Sequence, residues 1–281
     1  MSLPSALYIV PTPIGNLGDI TQRAIEVLSA ADLIAAEDTR HSRKLLDAFN
    51  IKGQLWSLHE HNERARSGAI IERVQAGQIV ALISDAGTPL ISDPGYPLLR
   101  ACREAGVDVI PLPGPCAAIT ALSAAGLPTD RFSFEGFLPA KSGALNSRIS
   151  DLAKESRTMV FYESPRRVVA TLSAMTEHFG ADREATLAKE ITKRFEAIVQ
   201  SDLAGLIEWL EAEPERQQGE FVLVVAGYQA PDTEQLPTDA EKWLVRLMEE
   251  LPLKKAAAVI ADMYDLKKKQ VYDLGLKLQG R

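Results

Sequence analysis

Ile79-Val80-Ala81-Leu82-Ile83-Ser84-Asp85-Ala86-Gly87-Thr88-Pro89-Leu90-Ile91-Ser92-Asp93-Pro94-Gly95 is the stretch on which the fold turns. Its opening is a short apolar run of Ile, Val, Ala and Leu, the pattern of a strand buried on both faces of a parallel sheet. Its continuation is small residues and proline. Gly87 and Gly95 permit positive φ or close backbone approach, whereas Pro89 and Pro94 remove N–H groups and preset the loop. Strand-to-helix connections are usually only a few residues long. A loop of this length and composition therefore reads as a pocket that meets a flat ligand with its main chain.

On either side of that stretch, apolar runs of strand length alternate with amphipathic segments, the signature of an α/β fold. Strands are expected at Leu7–Pro11, Leu33–Glu37, Leu55–His59, Ile79–Ser84 and Val107–Leu112, with helices such as Thr21–Ala31, Arg64–Gln75 and Pro97–Ala105, giving a mostly parallel sheet covered on both faces. Pro111-Leu112-Pro113-Gly114-Pro115 breaks every regular element and marks a domain boundary. Beyond it the alternation restarts with a small-residue helix, Ala117–Ala125, and strands near Phe132–Phe137, Thr158–Tyr162, Ala185–Ile191, Ala197–Gln200 and Phe221–Ala226. Gln229–Pro237 is polar, carries two prolines and reads as a linker. The expected organisation is residues 1–113 and 114–229 as two α/β domains and 238–281 as a helical basic module.

Composition narrows the function classes. The 281 residues are 46% hydrophobic and 25% charged, enough to build a sizeable core, and the length points to two packed units. A net charge of −7 argues against a protein that coats nucleic acid non-specifically, while leaving room for a local basic patch. The charge is unevenly spread. Residues 241–281 hold nine Lys/Arg and six Asp/Glu (+3), and residues 1–240 hold 22 and 32 (−10), which together give the −7 of the chain. Within this tail Leu253–Tyr264 and Lys267–Leu278 read as two helices joined by a tight turn, compatible with a helix-turn-helix and equally with an α-hairpin used for packing or dimerisation. Two cysteines, Cys102 and Cys116, are too few for a disulfide scaffold and lack metal-ligand spacing, which suits a reducing cytoplasm. The N-terminus has no positive charge ahead of its short apolar run, and no apolar stretch reaches membrane-spanning length, so neither a signal peptide nor a membrane partner is expected.

Ordinary nucleotide motifs fail. The loop Pro11–Asp19 offers only Gly15 and Gly18 where a dinucleotide fingerprint needs three glycines, although Asp38 falls where a ribose-binding acid would stand. No phosphate-binding Gly-Lys-Ser/Thr occurs. Four further patches accompany the Ser84–Gly95 loop: Pro113–Ala118, Phe161–Arg167, Lys189–Lys193 and Gly219–Phe221.

With these patches on the page, the chain resembles the tetrapyrrole-methylase-type, or class III, S-adenosylmethionine methyltransferases, over nearly its whole length. The most specific pieces are VPTPIGNLGDIT (Val10–Thr21), AAEDTRHS (Ala35–Ser42), SDAGTPLISDPGY (Ser84–Tyr96), PLPGPCAAITALSAAGLP (Pro111–Pro128), EGFLPAK (Glu135–Lys141) and LPLKKAAA (Leu251–Ala258). The resemblance implies two α/β domains with S-adenosylmethionine in the cleft between them, and a homodimer. It also implies a cofactor pocket lined by Ser84, Asp85, Ala86, Gly87, Thr88, Ile91, Ser92, Cys116, Ala117, Phe161, Tyr162 and Glu163. Tetrapyrrole-modifying members typically carry Gly-Asp-Pro where this chain has Ser84-Asp85-Ala86-Gly87. That departure places it with the RNA-acting branch, for which the implied reaction is methylation of a ribose 2′-hydroxyl on a cytidine in small-subunit ribosomal RNA, naked or in the assembled subunit.

S-adenosylmethionine brings an activated methyl, so such an enzyme mainly aligns the reactants. A ribose hydroxyl is a weak acid, and its loss of a proton calls for a base within reach. Asp38, His59, Glu60 and Glu190, all at or just beyond strand ends, are the candidate bases, with Arg40 beside Asp38 to hold a phosphate. Singly, each has a structural reading as a helix cap, a solvated loop residue or an ion pair. Arg40, Arg43 and Lys44, Arg166 and Arg167, and Lys254, Lys255 and Lys267–Lys269 are the runs that could meet a polyanion. The rival readings are a tetrapyrrole methyltransferase, a non-catalytic RNA-binding or ribosome-assembly protein and a nicotinamide-dependent oxidoreductase.

Overall fold

The computed structural model describes residues 3–59, 61–229 and 237–279. Residues 1–228 gather into one compact unit and 229–281 into another.

The first sheet of the larger unit comprises β1 (Leu7–Ile9), β2 (Leu33–Ala36), β3 (Leu55–Ser57), β4 (Val80–Ile83) and β5 (Val109–Pro111), all parallel, in the order β3-β2-β4-β1-β5. Every residue of β1, β2 and β4 is buried, as central two-sided strands demand, whereas β3 and β5 are half-exposed edges. Period-two alternation sorts the side chains. Tyr8, Ile34, Ala36, Ala81 and Ile83 meet α1 (Gln22–Ala30) and α2 (Thr39–Ala48). Leu7, Ile9, Leu33, Ala35 and Leu82 meet α3 (Glu63–Gln75) and α4 (Tyr96–Glu104) on the other face.

The second sheet follows α5 (Ala117–Ala124). It holds β6 (Phe132–Phe137), β7 (Thr158–Glu163), β8 (Glu184–Lys189), β9 (Ala197–Asp202) and β10 (Phe221–Val225), in the order β6-β7-β10-β8-β9. It departs from a simple restart of the parallel pattern. Only β6 and β7 pair in parallel; β8 and β9 are joined directly without a crossover helix, and β10 enters between β7 and β8 antiparallel to both. Helices α6 (Ser142–Leu152), α7 (Val168–Phe179) and α8 (Leu203–Ala212) cover one face through Ile149, Leu172 and Leu206 against Phe161, Leu187 and Leu223. Small residues of α5 and its C-cap, Ala118, Ala121 and Ala125, pack on Val160, Ala188 and Val224 of the other.

The smaller unit contains α9 (Thr238–Met248), α10 (Leu253–Tyr264) and α11 (Lys268–Gln279); α10 and α11 match the expected pair and α9 the helical start of the 238–281 module. Ala240, Leu244, Ala257, Ile260 and Val271 form its core. Gly275 lets α11 approach α10, since a Cβ there would meet Leu253. Among the described residues no helix is long and apolar enough to cross a membrane.

Candidate active site

Loops from the carboxyl ends of β1, β2, β4 and β5 meet those beside β6, β7, β8 and β10 around a cavity of about 440 Å³. Ligands of open α/β sheets collect at such strand ends. The first wall is clipped together by main-chain bonds: Thr12 and Gly87 exchange N–H···O bonds at 2.9 and 3.0 Å, and the Thr88 hydroxyl donates to the Pro115 carbonyl at 2.8 Å. The bond from the Asp38 N–H to Asp85 Oδ1, 3.1 Å, brings in the loop after β2. At the far end of the Ser84–Gly95 loop, the buried Glu63 carboxylate accepts from the Gly95 N–H at 2.8 Å. Gly87 has φ +81° and Gly95 φ +125°, which explains both glycines. Leu90, Ser92, Glu190 and Thr192 also lie at positive φ, a costly conformation for side-chain-bearing residues that persists where surrounding contacts enforce it and gathers at functional loops.

Ten of the twelve cofactor residues singled out from the sequence line this cavity: Asp85, Ala86, Gly87, Thr88, Ile91, Ser92, Cys116, Ala117, Tyr162 and Glu163. Ser84 and Phe161 do not. The Ser84 hydroxyl points back into its own loop toward the Ala86 and Gly87 carbonyls. Phe161 is fully buried on the opposite face of the second sheet, because strand alternation sends Tyr162 toward α5 and Phe161 toward α7. The Tyr162 hydroxyl accepts from the Ala118 N–H at 3.2 Å, and burial raises its pKa above the ordinary tyrosine value. The Glu163 carboxylate is already engaged by the Ser164 N–H and the Thr171 hydroxyl, each at 2.7 Å, and by Arg167 at 3.4 Å, so it braces the wall.

The cavity also gathers Ile14, Glu37, Asp93, Phe137, Ile191 and Glu220, which the sequence reading left out of the pocket. Asp93 is the most informative. Burial, reinforced by the neighbouring Asp85 charge and opposed by a Ser84 hydrogen bond, lifts its carboxyl to about 6. Its signal was present in the sequence, one residue beyond Ser92. Among the described lining residues there are five acids, Glu37, Asp85, Asp93, Glu163 and Glu220, and no Lys, Arg or His. Such a lining suits a cationic ligand and opposes a pyrophosphate. S-adenosylmethionine, a sulfonium with an ammonium tail, would fit this donor set, with the Asp85 carboxylate available to its positive charge and the small Ala86–Thr88 and Cys116–Ala117 segments leaving room for its flat base.

Of the expected bases, Asp38, His59 and Glu190 do not line the cavity. Asp38 caps α2, its Oδ1 accepting from the Arg40 and His41 N–H groups, and the first of these bonds chiefly holds its carboxyl below the ordinary range. Arg40 lies almost fully in solvent, 3.8 Å from that carboxylate. His59 sits beside Asn62, with Nε2 3.1 Å from the Asn62 amide nitrogen and a buried Nδ1 that has no hydrogen-bond partner. Glu60 lies outside the described residues. Burial acts to raise Glu190, but Lys193 Nζ at 2.9 Å and the Glu220 N–H at 2.9 Å outweigh it and leave the carboxyl lowered. A second hollow of about 370 Å³ shares Ile14, Asp85, Ala86 and Glu220 with the cavity and opens onto His41, Lys44, Leu17 and Lys193, so the acidic cavity has a basic and apolar mouth. Of the Arg166–Arg167 run, Arg166 is exposed, and Arg167 is spent tying the Leu138 and Pro139 carbonyls.

Comparison with known proteins gives the family and the fold. Residues 6–207 match the family model for tetrapyrrole (corrin/porphyrin) methylases, and residues 234–279 match that of the RsmI C-terminal HTH domain. The ribosomal RNA small subunit methyltransferase I of Vibrio cholerae is 55% identical, over 98% of this chain and 95% of that protein. That of Pseudomonas aeruginosa is 50% identical, over 98% of each. Uroporphyrin-III-C-methyltransferase from Thermus thermophilus shares the fold at TM-score 0.56 and 22% identity, covering 79% of this chain and 94% of that one. Cobalt precorrin-4 methyltransferase does so at 0.58 and 18%, covering 78% and 93%. The chain therefore belongs to the tetrapyrrole methylase family, in its ribosomal RNA small subunit methyltransferase I group, and is an S-adenosylmethionine-dependent methyltransferase.

Proposed function

We propose that this enzyme methylates 16S ribosomal RNA of the small subunit at a ribose 2′-hydroxyl, that of cytidine 1402. The observation that carries the reading is the pairing of an acid-lined cavity, suited to a sulfonium, with a mouth bearing His41 and Lys44, suited to a phosphodiester, while Lys193 there is held by Glu190 and Glu220. Its RNA substrate is supported by the names of relatives that align with nearly the whole chain.

When bound, S-adenosylmethionine supplies the electrophilic methyl group. The chain's own residues orient the acceptor and take its proton. Asp93, held near neutrality, is the acceptor we assign, because a base acts best when its pKa lies near the working pH and Asp38 and Glu190 are both lowered. Asp38 then acts as the cap that fixes the start of α2 and, with it, Arg40. Residues 1–113 and 114–229 are proposed as two α/β domains and 238–281 as a basic helical module. The enzyme is proposed to work in the cytoplasm as a homodimer, for which exposed Phe195 in the turn between β8 and β9 and Ile198 on β9 supply apolar surface, and sedimentation checks that state. Labelled-methyl transfer from S-adenosylmethionine to protein-free small-subunit RNA and to assembled subunits tests the function. No transfer to either would refute it.

A further inference from the structure

Helix α2 separates two surfaces. His41, Lys44 and Leu45 line the mouth of the cavity, whereas Thr39, Arg40 and Arg43 line a different hollow, which adjoins a second one through Thr39 and Leu55. The pair runs along β3, an edge strand of the first sheet, and is completed by Trp56 and Arg66. Arg66 and Arg73 place their guanidinium groups 5.4 and 4.7 Å from the centre of the Trp56 ring. Among the described residues no acid lines either hollow, which inverts the charge of the cavity.

We infer that this groove carries the phosphodiester backbone of the RNA strand whose neighbouring nucleotide enters the cavity; the inference rests on the RNA-methylating reading. Guanidinium forks match phosphate oxygens, and a −7 chain must concentrate its cations where a polyanion lies. Trp56 is covered by arginines, so it holds guanidinium groups in place instead of offering a ring for base stacking. Arg40 is 92% exposed and its 3.8 Å contact with Asp38 is weak, leaving it available to an anion. Position ties the groove to the chemistry. Glu37 lines the cavity and Thr39 the groove, two residues apart and at most about 7 Å, which is comparable with the step between successive phosphates of an extended strand.

The test measures binding of protein-free small-subunit ribosomal RNA against KCl concentration for the parent, Arg66→Ala, Arg66→Lys and Arg43→Ala/Arg66→Ala. Cofactor affinity, methyl transfer, thermal melting and sedimentation are followed alongside. Each lost single-strand phosphate contact should flatten the slope of log K against log salt by about 0.7, so the double variant should lose about 1.4, with S-adenosylhomocysteine affinity unchanged. Arg66→Lys should recover most of the slope. Arg43 donates to the Gly53 carbonyl, so if the double variant melts early the single Arg66→Ala decides, by its own loss of about 0.7. Parent-like slope and affinity in a folded Arg66→Ala would overturn the groove while leaving the function standing, provided the parent binds and methylates RNA. A parent that does neither moves the same measurements to assembled small subunits, where the same variants decide the groove, and failure of the parent there too refutes the function itself. Altered sedimentation with an unchanged salt slope would make the groove a contact between subunits and would also overturn the inference.

Discussion

The backbone N–H of Asp38 donates to Oδ1 of Asp85 at 3.1 Å, joining the loop after β2 to the loop after β4 across the edge of the cavity. Two short segments far apart in sequence are thereby set as one wall. Asp85→Ala should leave that partly buried donor unpaired and cost about 1–3 kcal/mol of stability in denaturant titration. Asp85→Asn retains an acceptor oxygen and loses the charge. It should fold like the parent and weaken S-adenosylmethionine more than S-adenosylhomocysteine, which lacks the sulfonium; equal weakening of both would show that charge at this position does not read the ligand.

Gly87→Val tests the floor of the cavity. At φ +81° an L side chain costs about 1–2 kcal/mol, and its Cβ would stand 3.3 Å from Ile14 Cγ2. Binding of S-adenosylhomocysteine, followed by calorimetry, should fall about tenfold or more, equivalent to about 1.4 kcal/mol. Parent-like affinity in a folded variant would place the cofactor elsewhere.

The raised pKa of Asp93 fixes a pH dependence. Because the folded carboxyl titrates near 6 and an unfolded aspartate lower, the folded state holds the extra proton between those values. Stability contributed by this group is therefore present at acid pH and is lost as pH rises through about 6. Turnover should move oppositely, rising through about 6 as the acceptor deprotonates. Asp93→Asn should remove the inflection and lower kcat by about 10²–10⁴ with cofactor affinity within about tenfold of the parent. Near-parental kcat in that variant would exclude Asp93 as the base.

Asp38 separates a cap from a base. Asn caps a helix about as well as Asp, so Asp38→Asn should keep the parental melting temperature while Asp38→Ala lowers it by a few degrees. If capping is its role, turnover falls less than about tenfold in Asp38→Asn, well short of the loss of a general base. A hundredfold loss in the well-folded Asn variant would return the proton-acceptor role to Asp38.

The first sheet was legible because its strands are continuous apolar runs such as Leu33–Ala36 and Val80–Ile83, and the glycine- and proline-rich loop after β4 announced a pocket. The second sheet was legible in its strands but not in their directions. Nothing local in Phe221–Val225 states that it inserts between β7 and β8. The same limit governed the site. Small residues of the glycine-rich loops, such as Gly87 and Cys116, were read into the pocket, while Glu37 and Glu220, although inside quoted stretches, come from different sheets and meet only when the loops fold together. Phe161 was misplaced because a motif quoted as a block hides the alternation that turns every second side chain away. Asp38 had the look of a catalytic acid, yet the residue that follows a strand and precedes a helix is also where a cap belongs.

Nucleoside analysis of small-subunit RNA after incubation with the enzyme and S-adenosylmethionine carrying a labelled methyl group tests the central claim most directly. The account predicts label in 2′-O-methylcytidine, lost when Asp93→Asn replaces the parent. Label on a base carbon or nitrogen, or transfer to a tetrapyrrole with none to RNA, would contradict it.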